Sequence, residues 1–205
     1  MKLLVATTNP GKLAEIAAFL GPLKVEILSL NDLHRPPAVA EDGATFEANA
    51  LKKARTLAAF SGLATLADDS GLEVDALGGA PGVRSARYSG EGADDAGNNE
   101  KLLRELAGVP EERRTARFVC ALALCAPPSA RGGERLFRAE CAGRIALEPR
   151  GKLGFGYDPL FFYPPLGRTF GELDRETKSR VSHRGLALKQ LAAAWPGLEL
   201  LNNEG

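Results

Sequence analysis

The spacing of apolar positions changes period several times along this chain of 205 residues. Residues 2–6 form a short apolar run closed by Thr7-Thr8-Asn9-Pro10-Gly11, which reads as a strand. Residues 12–20 then place Leu13, Ile16, Ala17 and Leu20 on one side of a helix that Gly21-Pro22 ends. Residues 25–28 are a second short strand. Thr45 is positioned to cap a helix through FEANALKKARTLAAFSG, in which Phe46, Ala50, Leu51, Ala54, Leu57 and Ala58 make one apolar stripe. Residues 63–67 are a buried strand running directly into Asp68-Asp69-Ser70-Gly71, and residues 98–107 a helix ended by Gly108. Residues 115–125 and 134–146 are β-rich, and APPSARGG between them reads as a hairpin loop. The pattern turns helical again over 172–180, and Ser182 then caps a last helix over 183–195 before Pro196-Gly197. A βα opening and an antiparallel middle predict one mixed α/β domain.

Composition narrows the function classes. Hydrophobic residues make up 44%, which suits a folded globular chain. Lys plus Arg and Asp plus Glu both number 26, so the global basic field that nucleic-acid affinity rests on is missing. A small anionic ligand needs only local positive charge. Cys120, Cys125 and Cys141 make neither an even set nor a metal spacing, and are expected to be buried thiols. The first residues lack the length of a signal peptide, and no stretch approaches the ~20 apolar residues of a membrane span, so a cytoplasmic location is expected.

The opening loop has the makings of an anion site. A strand leading into a helix N-terminus presents backbone N–H groups and the positive end of the helix dipole. Asn9 adds an amide, Gly11 permits close approach, Lys12 adds a charge, and Thr7 and Thr8 add hydroxyls; Asn-Pro-Gly is equally ordinary turn chemistry. It is not a Walker loop, because Ala6 holds the first glycine position and Leu13 follows the lysine. The second concentration of chemistry is LATLADDSGLEVDALGGAPGVRSARYSG. Adjacent strand residues point to opposite faces, so Asp68 and Asp69 are expected to do different jobs. A carboxylate beside an anionic ligand calls for a hard divalent cation such as Mg²⁺ between them. Arg84 and Arg87 read as surface or structural charges. Asn49 and Lys53, four apart on the polar side of their helix, are either a solvated face or a further amide and cation for phosphate.

Near the C-terminus, KLGFGYDPLFFYPPLG sets Phe155 and Tyr157 among glycines. Such rings stack on a flat base or anchor the loop in the core, and Asp158 can accept a hydrogen bond from a base N–H. KSRVSHRG brings Lys178, Ser182, His183 and Arg184 together. Cations at a helix start oppose the dipole, a local rule broken where a site would be. Donors there would pair with a 6-oxo purine and reject a 6-amino one.

Taken together and in this order, ATTNPGK, DGATFEANALKKA, ADDSGLEVDALGGAPGVRSARYSG, GFGYDP and KSRVSHRG resemble the inosine/xanthosine triphosphate pyrophosphatase family over nearly the whole chain. The resemblance implies an elongated mixed β-sheet flanked by helices, in two lobes with a central cleft, as a homodimer. It implies Mg²⁺-dependent hydrolysis of ITP, dITP and XTP to the monophosphate and pyrophosphate. Thr7, Thr8, Asn9, Pro10, Gly11 and Lys12 then look like the triphosphate loop, with Lys53 on phosphate. Asp69 looks like the water-orienting base and a metal ligand, and Ser70 like a substrate contact. Phe155, Gly156, Tyr157, Asp158, Lys178, His183 and Arg184 look like nucleotide contacts. Some members carry two acidic residues before the stretch matching DGATF; here Ala40 takes the earlier place, leaving Glu41 as the second metal carboxylate, with Asp68 the alternative. Two other readings fit parts of the pattern: a Maf-like hydrolase of modified nucleotides, and a non-catalytic nucleotide sensor.

Overall fold

The computed structural model describes residues 2–23, 25–130 and 132–198. Strand β1 (Lys2–Ala6) is buried from Leu3 onward. It feeds helix α1 (Pro10–Leu20), which begins two residues before the apolar periodicity does, because Pro10 fills the first turn and the Asn9 side chain accepts from Lys12 N at 3.0 Å. Strand β2 (Glu26–Ser29) follows, then helix α2 (Phe46–Ser61), capped by Thr45 Oγ1 accepting from Ala48 N at 3.1 Å. Phe46, Ala50, Ala54, Leu57 and Ala58 are buried as the stripe predicts.

Strand β3 (Ala64–Val74) departs from the expected end at the aspartates: it runs through Asp68-Asp69-Ser70-Gly71 as regular strand. Its far half carries Leu72 and Val74, both fully buried in a second apolar cluster, so burial extends the strand past its polar centre. Helix α3 (Asp95–Glu105) starts earlier than its apolar positions indicate, since Asp94 accepts from Gly97 N at 2.8 Å and caps a polar first turn. Strands β4 (Thr115–Cys125), β5 (Glu134–Ile145), β6 (Phe161–Tyr163) and β7 (Arg168–Thr169) complete the sheet. Helix α4 (Arg175–Val181) is capped by Asp174 rather than starting at Glu172, which instead closes a short turn with Thr169. Helix α5 (His183–Ala194) ends the described chain but for one turn.

Among the described residues the seven strands form one mixed sheet in the order β2-β1-β3-β4-β5-β6-β7. β1 pairs parallel with β2 and with β3, with Leu4 opposite Leu28 and Thr65; β5–β6 and β6–β7 are antiparallel. The chain divides into two compact units. Of the described residues, the first takes those within 2–69, 120–139 and 185–198, with a core of Leu3, Val5, Ile16, Leu20, Leu66, Leu122, Leu188 and Leu191. The second takes residues 70–119 and 140–184, with a core of Leu72, Val74, Leu102, Phe118, Phe161 and Phe170. β3, β4 and β5 each contribute residues to both. Cys120, Cys125 and Cys141 are buried free thiols, and no described helix is long and apolar enough to cross a membrane.

Candidate functional site

In the first unit, β1 delivers the opening loop at its C-terminal end. Thr7 is buried, and its Oγ1 accepts from Asn9 N at 3.1 Å; Thr8, Asn9 and Pro10 are exposed. The turn chemistry and the helix cap are therefore both present, with exposed polar groups at the start of α1. Lys12, one turn in, reaches Asp68 Oδ1 at 2.5 Å.

The two aspartates have different surroundings, as alternation along a strand requires. Asp68 has a fully buried side chain; besides Lys12 it accepts from Cys120 Sγ at 3.3 Å. Asp69 is 6% exposed, and its Oδ2 is a buried oxygen with no hydrogen-bond partner among the described residues. Burial, and then the charge of Glu41, push the Asp69 carboxyl up to about 6, against the pull of Lys12 and Lys53. Glu41 lies in the segment before α2 and is ion-paired with Lys53, which also donates to the backbone oxygen of Asp68 at 3.2 Å. The side of α2 bearing Asn49 and Lys53 is thus not a solvated face. Asn49 is 1% exposed, and its Oδ1 accepts from Gly43 N at 2.7 Å, which ties the Glu41 segment to α2.

Asp69, with an orphaned buried oxygen and its ionisation disfavoured by the nearby Glu41 carboxylate, fits a divalent cation: hard cations take oxygen ligands, and their charge removes the repulsion. No cluster of three or more metal-ligating side chains occurs among the described residues, so a cation here would need further oxygens from elsewhere. Mg²⁺ characteristically does so, keeping waters and phosphate oxygens beside one or two carboxylates.

The second unit holds the other predicted residues. Ser70 opens this unit and accepts from Arg184 Nη2 at 2.8 Å. Arg184 and His183 are 2% and 4% exposed, and the His183 ring stacks on Phe118 with centroids 4.6 Å apart. Both side chains at the very start of α5 are buried, the Arg184 guanidinium on Ser70 and the His183 ring on Phe118. Lys178, 4% exposed, pairs with Asp158 Oδ2 at 2.6 Å, and the same oxygen accepts from Phe155 N at 2.8 Å. Asp158 therefore shapes the loop that carries it. Gly154 has φ +77°, and a Cβ there would overlap Asp158 Oδ2, so glycine is required.

The two aromatics of this loop part company. Tyr157 is buried and donates from Oη to Ser85 O at 2.8 Å, which anchors the loop in the core. Phe155 stays half-buried, with Lys178 Nζ 4.6 Å and Arg184 Cζ 5.7 Å from its ring centroid. Gly156, between them, donates to Asp95 Oδ2 at 2.6 Å and accepts from Asn99 Nδ2 at 2.9 Å. Sequence reasoning missed Asp95, Asn99 and Cys120. The sequence signal for the first two was the spacing of an acid and an amide four apart at a helix start, which places both on one face. Arg84 is exposed and makes no part of either group.

A family model described as the Ham1 family matches residues 3–194. A dITP/XTP pyrophosphatase of Geobacter sulfurreducens is 57% identical over 201 residues, which cover 97% of this chain and 99% of that protein. Among solved structures, a HAM1 protein from Coxiella burnetii superimposes with a TM-score of 0.86 at 40% identity, over 96% of this chain and 99% of that one. A nucleoside-triphosphatase / dITP/XTP pyrophosphatase from Mycobacterium abscessus gives 0.76 at 49% identity, over 96% and 100%.

Proposed function

The chain belongs to the Ham1 family, and from that premise we propose that it hydrolyses non-standard purine nucleoside triphosphates (ITP, dITP and XTP) to the monophosphate and pyrophosphate. The observation that carries the assignment to a site is Asp69: a buried carboxylate whose second oxygen lacks a partner among the described residues, set beside Glu41 and within the influence of two lysines.

Glu41 and Asp69 are the residues that would hold Mg²⁺, which when bound neutralises phosphate charge and the repulsion between the two carboxylates. The end of β1 and the start of α1 bind the triphosphate through backbone N–H groups, with Thr8, Asn9 and Lys12 beside them. Lys53 places a second positive charge next to Glu41 and Asp68. Asp69 orients the attacking water toward the α-phosphorus and accepts its proton, and phosphoryl transfer then needs positioning and charge rather than a covalent intermediate. Ser70 is read as a substrate contact, its hydroxyl held by the Arg184 guanidinium at 2.8 Å.

In the second unit, Phe155 offers a face for the base, and Lys178, His183 and Arg184 supply the donors that favour a 6-oxo group. Asp158 and Tyr157 hold the loop in that shape. A homodimer in the cytoplasm is part of the same reading. The test is a panel of ITP, dITP, XTP, dUTP and GTP with Mg²⁺, read by product identity. Monophosphate plus pyrophosphate from the first three, at rates well above the last two, is expected. Diphosphate plus phosphate, or equal turnover of GTP, would refute the assignment.

A further inference from the structure

We propose that helix α3 is the element that sets base affinity, with Asp95 and Asn99 as positioning residues that fix the peptide groups of Gly156. The inference rests on the reading of Phe155 as the base contact and extends it to a helix that no part of that reading uses.

The loop 154–158 has no strand or helix of its own to hold its backbone. Besides backbone bonds such as Asp158 N to Phe155 O at 3.3 Å and Gly171 N to Asp158 O at 2.8 Å, side chains bond its peptide groups. One is internal: Asp158 Oδ2 accepts from Phe155 N. The others come from α3, where Asp95 takes the N–H of Gly156 and Asn99 its C=O, at 2.6 and 2.9 Å. An acceptor and a donor one helical turn apart therefore grip both polar groups of a residue whose φ of +62° is glycine territory. Phe155 precedes that residue and the buried anchor Tyr157 follows it. Gly156 links the two aromatic residues, so losing the grip loosens the turn that carries Phe155 while Tyr157 keeps its bond to Ser85 O.

The helix is itself immobilised. Asn98 accepts from Ser89 N at 2.8 Å and donates to Ala86 O at 3.2 Å. Lys101 donates to Tyr88 O at 2.7 Å and lies 4.3 Å over the Tyr88 ring. The segment it grips is also where Tyr157 ends, on Ser85 O. Residues 85–89, α3 and the loop thus close a ring of hydrogen bonds in which the half-buried Phe155 ring is presented rather than gripped. Preorganisation of this kind lowers the ordering cost at binding, and so acts on nucleotide affinity rather than on the phosphate chemistry.

The experiment compares Asp95→Ala and Asn99→Leu, singly and together, with Asp95→Asn, which keeps an acceptor oxygen. Asp95 is exposed, so its alanine variant is expected to fold; a thermal melt checks each protein. The double variant is expected to raise the KM for inosine triphosphate by about tenfold or more, from two lost hydrogen bonds, with kcat within about twofold. Inhibition by inorganic tripolyphosphate, which lacks a base, is expected to stay unchanged, and Asp95→Asn to restore most of the affinity lost in Asp95→Ala. An unchanged nucleotide KM in Asp95→Ala and the double variant overturns the proposal, as does a matching loss of tripolyphosphate inhibition, which would mark general distortion. If the parent enzyme does not hydrolyse inosine triphosphate at all, the functional reading falls first, and this inference with it.

Discussion

Replacing Asp69 by asparagine should destroy activity and at the same time make the cation-free protein more stable at neutral and alkaline pH. The folded state holds the Asp69 proton more tightly than the unfolded chain does, with the carboxyl moved from its ordinary 3.8 to about 6 by burial first and the charge of Glu41 second. A raised carboxyl contributes no penalty below the unfolded value, where both states are protonated. As pH climbs through about 6, the folded state must ionise a carboxylate that its surroundings disfavour, and stability is lost. At ~1.4 kcal/mol per pH unit the full difference is ~3 kcal/mol, reached above about pH 7. The amide of Asp69→Asn never ionises, so the variant escapes that penalty. For a chain of this size 1 kcal/mol moves the melting temperature by ~2–4 °C. Thermal melts in EDTA at about pH 8 should therefore show the variant melting roughly 5 °C or more above the parent, with the gap closing by about pH 4. Adding Mg²⁺ should raise the parent and leave the variant nearly unmoved. A variant no more stable than the parent at about pH 8, or a gap independent of pH, would refute the reasoning, and near-normal turnover would remove Asp69 from the chemistry.

Other outcomes follow from the same geometry. Lys178→Met leaves Asp158 as a buried charge without its lysine, and should cost ~3–5 kcal/mol, read as a large fall in melting temperature together with a raised nucleotide KM. Gly154→Ala forces a Cβ onto Asp158 Oδ2 at a positive φ; it should cost ~1–3 kcal/mol in chemical denaturation and weaken nucleotide binding more than tripolyphosphate binding. Glu134→Ala breaks the exposed bidentate pair with Arg55 at 2.5 and 2.6 Å, and should change stability by no more than ~1 kcal/mol, with steady-state rates unaltered.

Most of the helices and strands were legible because their apolar residues recur at one period and lie in one core. Phe46 to Ala58 on α2 and Leu3 to Ala6 on β1 are cases where pattern and burial coincide. Where they do not coincide, the sequence misled. The polar tetrad 68–71 looks like the end of a strand, yet β3 continues because Leu72 and Val74 find a second core that no local pattern reveals. The early starts of α1 and α3 belong to caps and first turns, whose residues are polar and carry no periodicity. The candidate site residues were proposed through motif order, and the partners they meet were not. That Lys12 meets Asp68, that Glu41 meets Lys53, and that Asp95 and Asn99 meet Gly156 are pairings set by tertiary folding, which no local pattern announces.

The pairing of Lys12 with Asp68 has a further outcome for how a polyanion is received. Around the opening loop, two ammonium groups stand against the three acids Glu41, Asp68 and Asp69. Once Asp69 is ionised, above about pH 6, these five named groups carry an excess of one negative charge, and a naked nucleotide tail meets no net attraction from them. The compensating charge has to arrive with the guest. Metal-free nucleotide should accordingly be a feeble competitor even in large excess, and raising ionic strength should help its entry, the reverse of what a phosphate site built on surplus lysines would do.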